Sequence, residues 1–299
     1  MSGSTPVGFL YTPQQLAGSV RYGSGVLLGN WREDDALDEM RMMDYIESKE
    51  TGQLTLLKKQ AKLSPQLSTI SLTPPPADGV LHYGDVVLLQ SMCTEGTLAV
   101  SLGQPLYQAD NPDADPMYAA FASPLKGAFS RNAVKFVSYD GDGAVGQPIL
   151  YGQKVCLEFS SDLGVTGYLG SMRNGRVQLA TQLINKQEVF VQVPQSGKIP
   201  YDCAWTLMPE PVDERIIAQG TPVVAGAPLL LTHCFTNKRL ASVHVPLPTD
   251  FGTEFGVCAH TYTDTGKVNK LMRETMGRPT NNLITRAETV ENSWSILYA

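Results

Sequence analysis

Leu81-His82-Tyr83-Gly84-Asp85-Val86-Val87-Leu88-Leu89 is the stretch that organises this sequence, because related stretches occur twice more along the chain. The second copy begins at Leu150-Tyr151-Gly152-Gln153, and the third, which lacks the tyrosine, begins at Val224-Ala225-Gly226-Ala227. The glycines of the three copies are 68 and 74 residues apart. Each copy continues into a small turn and a second short strand pattern. Internal repeats of this kind indicate a fold assembled from similar supersecondary units.

Each repeat is also predicted to end in an aromatic strand, centred on Phe136, Trp205 and Trp294. A β unit of this size cannot bury its apolar face alone. Three such units around a pseudo-threefold axis would share one core and close their sheet edges. The sequence therefore predicts a mainly β fold, a β-trefoil of three repeats with an N-terminal helical arm. The alternative is an irregular β-rich domain whose glycine turns resemble one another by accident.

Composition limits the classes of partner and compartment. The 299 residues carry a formal net charge of −6, so no overall positive field favours binding to nucleic acid. The five cysteines are odd in number and form no C-x-x-C pair, which is typical of a reducing compartment without a disulfide framework. We also expect no secretory signal and no membrane span, because neither a basic-then-apolar leader nor a run of 18 apolar residues occurs.

Changes in composition along the chain predict three regions. Residues 1–25, rich in Gly, Ser, Pro and Thr, are expected to form a flexible N-terminal tail. Residues 26–78 are expected to form a helical arm followed by a proline-rich connector that contains Pro74-Pro75-Pro76. Residues 79–299 are expected to form the trefoil-like domain, with a basic loop at 263–290.

The arm is predicted to contain one long helix, from Trp31 to Lys49, that stops near Gly52. Asn30 and Glu33 match a capping box, and the apolar positions suggest a methionine-rich stripe. Eight acidic and three basic residues between positions 32 and 50 predict a solvated face or, less often, a surface for a basic partner. Residues 53–63 fit either a short helix or a strand.

Sequence motifs for catalysis or cofactor binding are missing. The chain has no G-x-x-x-x-G-K-[ST], H-E-x-x-H or G-x-S-x-G sequence. His233-Cys234 with Cys258 and His260 is a weak candidate for a metal site, because neighbouring residues on a strand point to opposite faces. The three-aspartate loop at 108–116 lacks the glycine and terminal glutamate of a calcium loop. We therefore predict no enzymatic activity, no cofactor and no metal.

One positively charged segment is a candidate for partner binding. From Lys267 to Arg286 the sequence contains five basic residues and one acidic residue, which fits either a solvated loop or contact with an acidic surface. The residues predicted to bind a partner are Trp31, Lys267, Lys270, Arg273, Arg278 and Arg286.

Two resemblances follow from these motifs. The pattern from Tyr83 to Leu98, with its two copies, resembles the repeat of MIR-type β-trefoil domains. The chain as a whole resembles the cilia- and flagella-associated protein 161 family. This resemblance rests mainly on Gly29-Asn30-Trp31-Arg32-Glu33-Asp34 and on two long stretches, residues 231–241 and 251–262.

The second resemblance implies a microtubule inner protein without catalytic activity. Such a protein binds the luminal wall of the A-tubule in the doublet microtubules of ciliary and flagellar axonemes and supports axoneme stability and motility. The expected partners are tubulin of the A-tubule and neighbouring microtubule inner proteins, with no nucleic acid and no membrane. The alternative is a soluble MIR-like β-trefoil that binds a glycan or a small ligand. Absence of the Gln-x-Trp element of ricin-type lectins argues against that alternative.

Overall fold

The computed structural model describes residues 31–107, 115–141, 143–159, 166–172, 183, 186–195, 197–263, 275–277 and 288–299. The chain divides into two compact units, residues 1–59 and residues 60–299. The sequence places residues 60–78 with the arm, whereas this division assigns them to the unit that contains the sheet.

The described part of the first unit is helical. Helix α1 spans Trp31–Glu50, where the sequence predicts a helix. Helix α2 spans Thr55–Leu63, so it begins in the first unit and ends in the second. Residues 53–63, whose sequence fits either a short helix or a strand, therefore form a helix from Thr55 onward. Gly52 has a φ of +68°, a left-handed conformation that glycine adopts at little cost, and it follows the end of α1 as predicted.

The second unit contains the strands that the structure describes. They are β1 (Val86–Ser91), β2 (Thr97–Tyr107), β3 (Met117–Ser123), β4 (Ala133–Ser138), β5 (Lys154–Phe159), β6 (Gly167–Met172), β7 (Gln187–Gln192), β8 (Trp205–Pro209), β9 (Leu229–His233), β10 (Leu240–Thr249), β11 (Gly252–Ala259) and β12 (Trp294–Leu297).

Six strands close into a barrel. Strand β1 pairs with β4, β4 with β5, β5 with β8, β8 with β9, β9 with β12, and β12 returns to β1. The other strands form three hairpins, β2–β3, β6–β7 and β10–β11. Strands β3, β7 and β11 also pair with one another and so join the three hairpins. The fold is a β-trefoil, as predicted, and closure removes the free edges of the barrel.

A ring of backbone hydrogen bonds joins the three repeats. The Leu81 N–H donates to the Val223 carbonyl over 2.9 Å, the Val223 N–H to Ile149 over 2.8 Å, and the Ile149 N–H to Leu81 over 2.8 Å. All three side chains are fully buried in the common core. Each of these residues lies three positions before a repeat glycine. The repeats read from the sequence therefore correspond to the threefold elements of the structure.

The repeat glycines are required by their backbone conformation. Gly84, Gly152 and Gly226 have φ values of +95°, +89° and +75°, a region that residues with a Cβ atom rarely adopt. This common turn explains why glycine recurs even in the third copy, which has lost the tyrosine.

The predicted equivalence of Phe136 with the two tryptophans is wrong by two residues. Strand pairing places Val134 opposite Val87, Trp205 opposite Val155 and Trp294 opposite Leu229, so Val134 is the counterpart of both tryptophans. A shift of two residues keeps a side chain on the same face of a strand. Both Val134 and Phe136 are buried, so the apolar pattern alone could not reveal the error.

A buried ion pair connects the first and third repeats. Arg131 and Glu254 are both about 1% exposed, and their side chains form two hydrogen bonds of 2.7 and 3.0 Å. The Arg131 Nε–H also donates to the Val100 carbonyl, and Thr249 donates its hydroxyl to Glu254. The Phe251 ring covers the guanidinium at 3.6 Å from its centroid. The pair thus has the partners that two desolvated charges need.

The segment before the barrel is bound to the trefoil. The Gln66 side chain is buried; its Oε1 accepts the Leu102 N–H and its Nε2 donates to the Lys62 carbonyl, each over 3.1 Å. Further along, the Thr73 N–H donates to the Val86 carbonyl, and the Thr73 hydroxyl oxygen accepts the Val86 N–H. Residues 60–73 therefore contribute to the trefoil rather than only leading to it.

Replacing Glu254 by Gln will destabilise the protein strongly, because the substitution leaves the Arg131 charge buried without a counter-ion. We expect the free energy of unfolding, measured with urea, to fall by about 3–5 kcal/mol. The matched control is Glu95→Gln, which removes an exposed carboxylate 4.0 Å from Lys126, and it should cost less than about 1 kcal/mol. Similar small losses in both variants would refute a structural role for the buried pair.

Candidate partner-binding surfaces

Most of the residues predicted to bind a partner lie outside the part of the chain that the structure describes. Trp31 is the first residue of α1, but its side chain is not among the described ones. The basic residues of the predicted loop, Lys267, Lys270, Arg273, Arg278 and Arg286, fall in segments that are not described. Their role therefore stays a prediction.

Helix α1 carries large apolar side chains that are exposed. They are Leu37, Met40, Met42, Met43, Tyr45 and Ile46, with exposures between 42% and 61%. At about 100° per residue, these positions are distributed around the whole helix. The predicted apolar stripe is therefore wrong. Seven exposed carboxylates of residues 34–50 lie among them, against Arg41 and Lys49. Helix α1 therefore presents both apolar and acidic groups on all of its sides.

Helix α2 carries a compact positive face. Lys58, Lys59 and Lys62 are exposed and lie within an arc of about 100° around the helix axis. This face was not predicted from the sequence, because three lysines within five residues do not form a long basic segment. The available signal was the lack of any Asp or Glu between Thr51 and Ala77.

The trefoil surface carries a cluster of aromatic rings. Tyr201 contacts Tyr139 and Phe235 edge to face, with ring centroids 5.7 and 6.2 Å apart. The Lys154 Nζ lies 5.7 Å from both tyrosine centroids and 3.7 Å from the Asp140 carboxylate. Phe235 is 61% exposed. These residues come from distant parts of the sequence, so only the fold brings them together.

His233, one of the residues considered for a metal site, is hydrogen-bonded to other parts of the protein. Its side chain is fully buried, the Nε2–H donates to the Asp202 carbonyl over 2.8 Å, and Nδ1 lies 2.8 Å from the Thr236 hydroxyl. Burial lowers the His233 pKa, although the contact with Asp202 opposes this effect. Across the described residues, no three His, Cys, Asp or Glu side chains are grouped as metal ligands would be.

The thiols of Cys156, Cys234 and Cys258 are poor nucleophiles. Burial is the main cause that raises the pKa of Cys156 to about 12 and the pKa values of Cys234 and Cys258 to about 11. Thiols with such pKa values are almost fully protonated near neutral pH, and the thiolate is the reactive form. None of the helices that the structure describes has the length and apolarity to cross a membrane.

Comparison with known proteins identifies relatives over most of the chain. The family model described as Cilia- and flagella-associated protein 161-like domain matches residues 113–272. Cilia- and flagella-associated protein 161 of Bos taurus is 30% identical over 285 residues, which cover 88% of this chain and 85% of the relative. The Mus musculus protein of the same name is 30% identical over 280 residues, which cover 87% and 89%, respectively.

Solved structures share the fold. The SDF2-like protein from Arabidopsis thaliana aligns with a TM-score of 0.50 and 15% identity, over 74% of this chain and 97% of that chain. The Saccharomyces cerevisiae protein O-mannosyltransferase Pmt1-Pmt2 complex bound to the sugar donor aligns with a TM-score of 0.50 and 15% identity. That alignment covers 78% of this chain and 28% of the other. At this level of identity, the likeness concerns the fold alone.

Acidification should destabilise the protein through His233. Because the folded state lowers the pKa of this histidine, the unfolded state binds a proton more readily. The free energy of unfolding should therefore fall as the pH drops below about 6.5, by up to about 1.4 kcal/mol per pH unit for one histidine.

Urea unfolding at several pH values will test this expectation. His233→Gln should be less stable than the original chain but should show a shallower pH dependence. A residual slope is expected because burial and the nearby Lys186 and Lys238 also lower the His260 pKa. Replacement of the exposed His244 by Gln is the matched control, because it removes an imidazole at the surface. Equal slopes in the two variants would contradict the assignment.

Proposed function

The chain belongs to the cilia- and flagella-associated protein 161 family, and from this premise we propose that it is a structural microtubule inner protein. In this proposal it binds the luminal wall of the A-tubule in axonemal doublet microtubules, in contact with tubulin and with neighbouring inner proteins. The observation that carries the proposal is the match to ciliary and flagellar relatives over 85% and 89% of their own lengths. The protein would support the stability and motility of the axoneme.

The architecture supports a structural role. A closed barrel with a buried ion pair provides a rigid body, which loses little conformational entropy on binding. The buried His233 is held by protein partners, and the thiols of Cys156, Cys234 and Cys258 are largely protonated. None of these groups is arranged for acid–base or nucleophilic catalysis.

The charges suggest how the contacts are divided. Tubulin is acidic, so the basic residues between Lys267 and Arg286 are proposed to face the tubulin wall. Helix α1, with its exposed carboxylates and methionines, is proposed to contact a neighbouring inner protein that has basic and apolar groups. Methionine side chains adapt well to irregular partner surfaces.

Fractionation of isolated axonemes tests this function. We expect the protein to stay with the doublet microtubules through high-salt extraction, because a luminal protein is enclosed by the tubule wall. It should leave only when a detergent such as sarkosyl opens the tubules, as measured by immunoblotting of each fraction. Soluble matrix proteins and externally attached dyneins serve as release controls. Recovery in the soluble matrix fraction would overturn the proposed location.

A second candidate function has one supporting observation. The aromatic cluster of Tyr139, Tyr201 and Phe235 beside Asp140 has the mixture of rings and a carboxylate that a glycan or small-ligand site needs. If this function is correct, the original chain will bind glycans on an array and Tyr201→Ala will abolish that binding. If the original chain binds no glycan on the array, the glycan-binding function of the aromatic cluster is refuted.

A further inference from the structure

The lysine face of α2 is unusual in a chain with a net charge of −6. Its three lysines, Lys58, Lys59 and Lys62, are exposed, and no ion pair joins them to a carboxylate among the described residues. Like charges three and four positions apart on a helix repel each other slightly, by a few tenths of a kcal/mol. This repulsion offsets part of the favourable interaction of Lys62 with the helix C-terminus, and an acidic partner would relieve it.

One exposed leucine of α2 adjoins this face, and a second does not. Leu56 is 73% exposed, and on a regular helix it lies about 60° from Lys59. Leu57 is 39% exposed and lies on the opposite side of α2 from the lysines. An exposed leucine beside positive charge combines an apolar contact area with electrostatic attraction for an acidic partner.

The last turn of α2, from residue 60 onward, belongs to the second unit and is hydrogen-bonded within it. The Lys62 carbonyl accepts the Gln66 Nε2–H, and the Gln66 carbonyl accepts the Arg131 N–H over 3.2 Å. The Ser130 hydroxyl donates to the Pro65 carbonyl over 2.6 Å. Gln66 and Ser130 are buried, so these bonds are shielded from water. The backbone around Lys62 is thus ordered within the second unit without a partner, which reduces the entropy lost there on binding.

We propose that α2 is a docking helix whose lysine face, Lys58, Lys59 and Lys62, binds an acidic protein surface, with Leu56 in contact with an adjoining apolar patch. The proposal rests on the proposed function in one respect, namely that the acidic surface belongs to the tubulin wall. It assigns a tubulin contact to described residues that are distinct from the segment between Lys267 and Arg286.

A protein surface fits α2 better than a lipid surface does. The helix has nine residues and contains no aromatic side chain. Interfacial membrane helices depend on a larger buried apolar area, commonly with Trp or Phe, in addition to basic residues. Three lysines attract anionic lipid only weakly, at about 1 kcal/mol each near the surface. Anionic vesicles are therefore included in the test as the competing outcome.

The test compares two double charge reversals in the full chain. Lys58→Glu with Lys62→Glu changes the α2 face, and Lys126→Glu with Lys198→Glu makes the same change in charge at exposed lysines elsewhere. Binding of each protein to purified tubulin dimers is measured at low and high ionic strength, and binding to phosphatidylserine vesicles is measured in parallel. A neutral variant, Lys58→Gln with Lys62→Gln, removes charge without placing acid at the helix C-terminus. Unfolding midpoints confirm that all variants remain folded.

We expect the α2 reversal to weaken tubulin binding at low salt by about tenfold or more, and the neutral variant to show a smaller loss. The difference should shrink at high salt, because screening weakens exposed charges. The matched control should bind like the original chain. Equal affinity of the two reversals for tubulin, or loss confined to vesicle binding, would overturn the docking proposal.

Retention in axonemes separates this proposal from the proposed function. If the original chain and the α2 reversal are retained equally in the doublets, the docking role of α2 fails while the inner-protein function stands. If the original chain is not retained but its tubulin binding depends on α2, the function fails and the docking surface stands. If it neither enters the doublets nor binds tubulin, both proposals are overturned.

Discussion

The cyclic hydrogen bonding of Leu81, Ile149 and Val223 is the constraint on which the rest of the structure depends. Each repeat donates to one neighbour and accepts from the other, so none of the three can satisfy its backbone alone. Buried N–H and carbonyl groups without partners would cost several kcal/mol. The three repeats must therefore assemble together, and the barrel and the hairpin strands follow from that assembly. The glycine turns after these residues redirect the chain into the first strand of each repeat.

Polar contacts in the interior add further connections, and these occur once rather than in each of the three repeats. The pair of Arg131 and Glu254 connects the first repeat with the third-repeat hairpin β10–β11. Gln66 connects the segment after α2 to the first repeat through Leu102 and Arg131. Buried charges and amides are favourable only in one geometry, since misaligned partners leave desolvated groups unpaired. These contacts therefore fix residues 62–66 to the first repeat.

The distribution of charge gives a physical basis for a structural role in cilia. Helix α1 concentrates exposed acid among methionines, whereas α2 presents exposed lysines beside leucine. The proposed binding to acidic tubulin and to other inner proteins would use surfaces of both signs. The net charge of −6 hides this separation. Burial lowers the pKa of His233 and raises the pKa of the Cys156 thiol. Both groups are therefore uncharged near neutral pH.

The sequence by itself determined the repeats, the glycine turns, the helix of the arm and the trefoil that follows from them. Neighbouring residues are sufficient to predict these features, because periodicity and backbone preference are local properties. Tertiary structure alone decided that Val134, rather than Phe136, matches the tryptophans, since loops of different length hide the register. It also decided that Arg131 meets Glu254, 123 positions away in the chain, and that Tyr201 meets Tyr139 and Phe235. Such contacts depend on how distant strands are brought together, and no local pattern of residues encodes that.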